Sequence, residues 1–375
     1  MSLFATNLKR ILIIKFKHRH DSLSDQYNRL FVMKMILACT LISGLNWFKD
    51  PLNCIVPAIS SIDTSFVTTA CWIQGLYVYK ELINRTVDSS YYGISKDIDI
   101  DGISRTGSVC ATIEKVSNNS TDCVAMEKFF FSQYQWIPFF LAAISLLYYI
   151  PYLVFLSVNS DLVSLNKSLN NGQDSKWIAI YYFKKHNACT MFFKVILNLS
   201  IKILYVATNI GTFALFDYIL NGSFRYFGYK WIIWAKSNDN NIYKEVNNFR
   251  KPGNELFPPF GYCELYESTK DIKHSVANKH KFVCELSQHI LYQYCFLIIW
   301  FLVICGVVIS LFGFFIQIFQ YFRLLVRRCY LRDPPTKKLL NSLNLYELVY
   351  LQRIESKDGH LYNEVIEELK RLAYI

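Results

Sequence analysis

Four long apolar blocks punctuate a chain that is otherwise polar and rich in asparagine and lysine. They are Leu30–Phe48, Phe129–Val158, about Leu199–Leu220 and Leu291–Phe322. The shortest has 19 residues, which at about 1.5 Å rise per residue covers nearly the ~30 Å hydrocarbon layer of a bilayer. Each therefore predicts a transmembrane helix. Tyr134 and Trp136 near the start of the second block suit an interfacial aromatic belt, and Pro138 and Pro151 predict kinks. Lys34 lies one turn inside the first block, where it can snorkel to the headgroups or line a pore. In the third block, Lys202 and Asp217 are each near enough to an end to reach an interface. Gly306 and Gly313 in the fourth allow close helix contact. The apolar stretch Thr190–Asn198 can extend the third helix.

Beyond the blocks, the pattern changes to amphipathic. In the tail from Lys337, Leu348, Leu351 and Ile354 recur at helical spacing. Val365, Ile366, Leu369 and Leu372 do so again after Gly359. This predicts two short helices packed as a cytoplasmic domain. The whole chain is thus read as an all-α polytopic membrane protein. Its segments are 1–29, span 30–48, loop 49–128, span 129–158, loop 159–198, span 199–220, loop 221–290, span 291–322 and tail 323–375.

Composition agrees: 53% of residues are hydrophobic and only 18% charged, against roughly a quarter in a soluble domain. Charge supplies direction. Residues 1–29 carry Lys9, Arg10, Lys15, Lys17, Arg19 and Arg29, and the segment after the fourth block opens with Arg323, Arg327, Arg328 and Arg332. The loop after the first block holds the acidic run Asp97, Asp99 and Asp101. The positive-inside rule therefore places both termini in the cytoplasm and the loops 49–128 and 221–290 outside, although the second of these is itself lysine-rich. The apolar run Ile11–Ile14 is too short for a signal-peptide core, so the first span is expected to serve as the anchor. The net charge of +11 suits anionic lipid headgroups. Nucleic acid is set aside, because the chain has neither zinc-ligand spacing nor a glycine-rich phosphate loop.

Eleven cysteines sort by this topology. Cys39, Cys295 and Cys305 fall in spans and read as small buried hydrophobes. Cys189 and Cys329 fall on the reducing side. Six remain in the outer loops: Cys54, Cys71, Cys110, Cys123, Cys263 and Cys284. An even set on the oxidising side predicts disulfides, with 15 possible pairings. None of the six has a neighbour at the short spacing of a zinc knuckle, so no metal and no cofactor is expected. Asn84, Asn118 and Asn119 each begin a glycosylation sequon in the first outer loop. All seven histidines lie outside the spans or at their edges, which argues against a membrane enzyme built on intramembrane acid–base groups.

Several local motifs, in order and on consistent sides, together resemble the innexins, the subunits of invertebrate gap-junction channels related to the pannexins. Gln133-Tyr134-Gln135-Trp136-Ile137-Pro138-Phe139 is similar to that family's YYQWVPF signature. Asp50–Ala58 resembles DPIxCWVPA, without the tryptophan after Cys54, and Cys71-Trp72-Ile73-Gln74 resembles CWxQ. Lys202–Tyr205 with Asn209-Ile210-Gly211 is similar to KLLYLxNVIGQ. Phe257-Pro258 precedes Cys263, and Leu345–Leu351 and Tyr362–Ile366 resemble the family's tail. Ser89–Asp122 reads as an insertion.

The resemblance implies a homo- or hetero-oligomeric ring, eight subunits in the family, in the plasma membrane at gap junctions. The first span and the amino-terminal segment would line its pore, and the outer loops would dock onto a ring in the next cell. It also implies the pairs Cys54–Cys284 and Cys71–Cys263. Cys110–Cys123 is added as a local pair. Lys15, Lys17 and Arg19 are candidates for pore electrostatics, or they sit on lipid headgroups. Alternatives are a pannexin-like hemichannel that does not dock, and a non-channel receptor or adhesion protein.

Overall fold

The computed structural model describes residues 21–49, 52–56, 62–79, 90–91, 94–95, 127–183, 188–238, 251–267, 278–330 and 334–373. Among these, four helices are long and apolar enough to cross a membrane. The first, α1, comprises Leu23–Gln26, a π-helical stretch Tyr27–Val32 and Met33–Lys49. The second is formed by α3 (Gln133–Leu147) and α4 (Ile150–Val158), which are separated by a turn at Tyr148-Tyr149 just before Pro151. The third is α7 (Ala188–Ile219) and the fourth α10 (Ser287–Tyr330). Their outward faces carry large apolar side chains, among them Leu146, Ile210, Phe312 and Phe319. A water-facing bundle would place charge there, whereas lipid or a neighbouring apolar surface tolerates these residues.

The helices overrun the apolar blocks. At 44 residues, α10 is about 66 Å long, roughly twice the hydrocarbon thickness. Hydropathy marks the part of a helix that lipid covers, not its ends. One boundary differs in kind: Phe129–Phe131, apolar enough to count with the second span, belong to a strand.

The chain divides into two compact units. One contains Ile36–Ala143 and Ala214–Phe301. Its loops carry an antiparallel sheet in the order β1-β7-β6-β2-β5, a β element that hydropathy did not foresee. The strands are β1 (Asn53–Ile55), β2 (Leu76–Tyr79), β5 (Lys128–Phe131), β6 (Phe260–Glu267) and β7 (Asn278–Glu285). A separate two-residue hairpin pairs β3 (Ser90–Tyr91) with β4 (Ile94–Ser95). The helices α2 (Thr64–Gln74), α8 (Phe227–Asn238) and α9 (Pro252–Leu256) complete the loops. On the sheet, Tyr77, Tyr79 and Tyr262 cluster, with the Lys281 ammonium 3.8 Å from the Tyr262 ring centre. Burial, and then the Glu264 carboxylate that accepts a hydrogen bond from its hydroxyl, hold the Tyr77 phenol above its ordinary range.

The other unit contains the chain up to Met35 together with Ile144–Phe213 and Leu302–Ile375. Its helical domain draws on more of the chain than the tail. The helices α5 (Ser160–Asn170) and α6 (Ser175–Tyr182), from the 159–198 loop, share one apolar core with the start of α7, the end of α10, and α11 (Pro334–Ser342), α12 (Leu345–Lys357) and α13 (Gly359–Ala373). Leu348, Leu351, Ile354, Val365, Ile366 and Leu369 point into it, while Leu372 is exposed. Tyr346 ties α12 to the membrane helices. Its hydroxyl donates to Asn159 Oδ1 at 2.8 Å, and Asn159 Nδ2 donates to Asn198 Oδ1 at 2.7 Å.

Candidate functional site

Two constellations collect the residues singled out by the sequence, one in each unit.

The first is the disulfide-tied loop structure. Antiparallel register sets Cys54 of β1 opposite Cys284 of β7, and the two are bonded at 2.04 Å. Cys71, near the end of α2, is bonded to Cys263 of β6 at 1.99 Å. One bridge therefore staples an edge strand to the sheet, and the other staples a helix to it. The sulfurs of Cys54, Cys71 and Cys284 lie within 4.8 Å of one another, but each is already spent in a disulfide and offers no thiolate to a metal.

The Tyr134–Pro138 signature explains how this structure is seated. The last turn of α2 leaves carbonyls without helical partners. Tyr134 Oη and Gln135 Nε2 both donate to the Trp72 carbonyl, at 2.9 and 2.6 Å, and Gln135 Nε2 also reaches that of Ile73. Gly75, at φ +88°, then turns the chain into β2 with a conformation that a β-carbon disfavours. Buried Pro138 has no N–H to give the Tyr134 carbonyl four residues back. The hydroxyl of Tyr292 on α10 donates there instead, at 3.3 Å. Trp136 packs edge-on against Phe140, with ring centres 5.8 Å apart. The signature is thus a capping and seating device. Sequence reasoning missed its partner His289, fully buried at the start of α10. His289 Nδ1 donates to the Pro258 carbonyl at 2.7 Å, and its ring is flanked by Phe131, Tyr134, Phe257 and Tyr292. A histidine three residues into a helix that begins before the apolar block looks like an exposed flank when only hydropathy is considered.

The second constellation lies at the foot of α1. Lys202 of α7 is buried against the start of α1. It is 6% exposed, and its Nζ lies 2.6 Å from Asp25 Oδ2 and 2.5 Å from Ser22 Oγ. Beside it, Arg29 grips Asp21 Oδ2 through Nη2 at 2.7 Å and Nε at 3.2 Å, with its guanidinium 3.8 Å above the Tyr152 ring. The four charges balance, as burial requires. Next comes a knot to which every span contributes. Asn28 Nδ2 donates to Ser310 Oγ at 2.8 Å, and Asn209 Nδ2 donates to Asn28 Oδ1 at 2.9 Å. Tyr148 Oη donates to Asn209 Oδ1 at 3.0 Å. Gly306 and Gly313 admit this contact: a β-carbon on Gly306 would overlap Asn209, and one on Gly313 would overlap Ser24. The π-helical stretch Tyr27–Val32, which contains Asn28 and Arg29, is the kind of departure from α geometry that is frequent at functional sites.

Of the remaining candidates, Cys39 and Cys295 are buried, but Cys305 faces outward rather than into the bundle. Lys15, Lys17, Arg19, Asn84, Cys110, Asn118, Asn119 and Cys123 lie outside the described residues.

Comparison with known proteins bears on both constellations. Innexin inx4 of Anopheles gambiae is 23% identical over 148 residues, which is 40% of this chain and 32% of that protein. The aligned segment thus spans about a third of that relative. The family model for innexins matches residues 21–372. Because the match runs from the charged foot of α1, through the bridged loops, to the last turn of α13, the chain belongs to the innexin family.

Proposed function

We propose that this chain is a gap-junction channel subunit and that a ring of such chains encloses a pore for ions and small molecules. Four helices of one subunit are too few to surround a wide pore, so the pore belongs to the assembly. The observation that carries this reading is the family match over residues 21–372. The structure adds support: two loops, far apart in sequence, are joined into one rigid sheet by the Cys54–Cys284 and Cys71–Cys263 bridges. A surface that must meet a second ring needs fixed loops, and disulfides restrict loop freedom. They also favour the oxidising side for this sheet. That agrees with the basic flanks before α1 and after α10, which put both termini in the cytoplasm.

In this reading α1 and the amino-terminal segment line the pore, the ring has eight members as in the family, and partners are other innexin subunits and membrane lipid. Lys15, Lys17 and Arg19, repeated around the ring, bias permeation toward anions. Conductance recording between paired cells tests the function. Expression in both cells should yield junctional current, and its absence with protein at the contact would refute docking. Neutralising Lys15, Lys17 and Arg19 should move the reversal potential in a salt gradient, and an unmoved potential would refute the anion bias.

A second reading keeps the ring and removes the docking. Asn84, Asn118 and Asn119 are sequons in the first outer loop, and glycans there would stand at the docking face. Dye uptake by single cells without transfer between pairs would favour that hemichannel.

A further inference from the structure

The Lys202…Asn209 motif of the third span has no role yet in the function, and its partners suggest one. Lys202 and Asn209 are seven residues apart and so share a face of α7. That face meets the start of α1 at two points: Lys202 binds Asp25, and Asn209 binds Asn28. Asp25 is 3% exposed and Asn28 fully buried. Both lie in the first turns of α1, ahead of the apolar block that begins at Leu30, one before and one within the π-helical stretch Tyr27–Val32. A buried ammonium keeps its position only while its carboxylate stays, since neither charge can be left alone in such a site. The Arg29–Asp21 pair fixes the turn itself, holding the segment at residue 21 against the helix at residue 29.

We propose that Lys202 and Asn209 are positioning residues for the pore: they clamp the foot of α1 and so set the position of the span that lines it. The proposal rests on the channel reading, in which α1 and the amino-terminal segment line the pore. The clamp itself does not depend on that reading. The span that contributes no pore surface in this picture is thereby the fixed reference for the span that does.

The test uses the full-length protein with Lys202→Gln, Asp25→Asn, the two combined, and Lys202→Arg. Hydrogen exchange of residues 21–32 is measured on purified protein, and unit conductance in cells at matched surface expression. Each single neutralisation leaves one charge unpaired, so exchange in 21–32 should accelerate about a hundredfold, and unit conductance should change. Lys202→Arg and the combined variant keep the site neutral and should resemble the parent in both readouts. These two also guard against a single variant that fails to fold. Unchanged exchange in the single variants, or a combined variant as loose as either single one, would overturn the clamp. Faster exchange with unchanged unit conductance would overturn the positioning role, because the clamp would then hold the helix and not the pore. A parent protein without conductance in single or paired cells would refute the channel function and with it the pore half of this inference. The exchange pattern would still decide the clamp.

Discussion

Replacing Gly306 by alanine adds one methyl group at the point where four membrane helices meet. The new β-carbon would overlap Asn209 Oδ1, lie 3.1 Å from Asn209 Cγ and sit 3.3 Å from Asn28 Oδ1. The Asn209 amide cannot simply turn aside. Its Nδ2 is shared among Asn28 Oδ1 at 2.9 Å, the Tyr205 carbonyl at 2.9 Å and Ser310 Oγ at 3.1 Å, and its Oδ1 accepts from Tyr148. Making room sacrifices the bonds to Asn28, Ser310 and Tyr148. Interhelical hydrogen bonds in membranes average about 0.6 kcal/mol and reach about 1.7, so the loss is about 2–5 kcal/mol. Gly211, two residues past Asn209, has nothing within 4 Å of its would-be β-carbon. Alanine there should be neutral or stabilising by up to about 1 kcal/mol. Unfolding of the purified protein in mixed micelles by graded denaturing detergent measures both. The steric cause has its own signature: in an Asn209→Ala background, Gly306→Ala should cost little further, since the obstructing amide is gone. If Gly306→Ala is as stable as Gly211→Ala, or if its cost persists without Asn209, the reasoning fails.

Three further outcomes follow from the two units. With Cys54–Cys284 intact, the second bridge closes a ring of roughly 40 residues, so Cys71→Ser with Cys263→Ser should destabilise the sheet by about 4 kcal/mol; thermal unfolding measures this, and Cys54 joined to Cys71 in non-reduced peptides would refute the pairing. Glu347 accepts from the Asn344 N–H at 2.7 Å in a capping box that starts α12, so Glu347→Ala should lower stability by about 1 kcal/mol in chemical denaturation. The Arg327 guanidinium holds the Glu355 carboxyl below its ordinary range. A depressed pKa adds stability above the unfolded value and loses it as pH falls through the folded one. The advantage of the parent over Glu355→Gln, within about 1 kcal/mol for so exposed a pair, should therefore begin to shrink as pH falls below about 4, disappear only below the depressed folded value, and also shrink in high salt.

Much of the tail was legible as periodicity. Leu348, Leu351 and Ile354 mark a face, and that face is buried. The helices α5 and α6 were not legible as part of the same core, because a short amphipathic stretch between two spans looks like a loop until its partner is known. Phe129–Phe131 show the converse error. Three phenylalanines raise a hydropathy average whether they face lipid or pair, as here, with Leu76–Val78 across a strand. The π-helical stretch of α1 carries no compositional mark at all.

The sequence by itself determined that four segments cross a membrane. A run of about 20 apolar residues has one low-energy environment, and a backbone placed there must satisfy its own hydrogen bonds as a helix. It also determined which cysteines stand in the two loops, since that follows from counting spans. The residues alone left the cysteine pairing open, the family resemblance implied Cys54–Cys284 and Cys71–Cys263, and the structure brings those pairs together. Only the tertiary structure decided that Tyr134 and Gln135 cap a helix some 60 residues earlier, and that Lys202 is buried against Asp25, 177 positions away. Hydropathy sums over neighbours in the chain. A buried charge is decided by whether an opposite charge stands within hydrogen-bond reach, and only the packed helices bring one there.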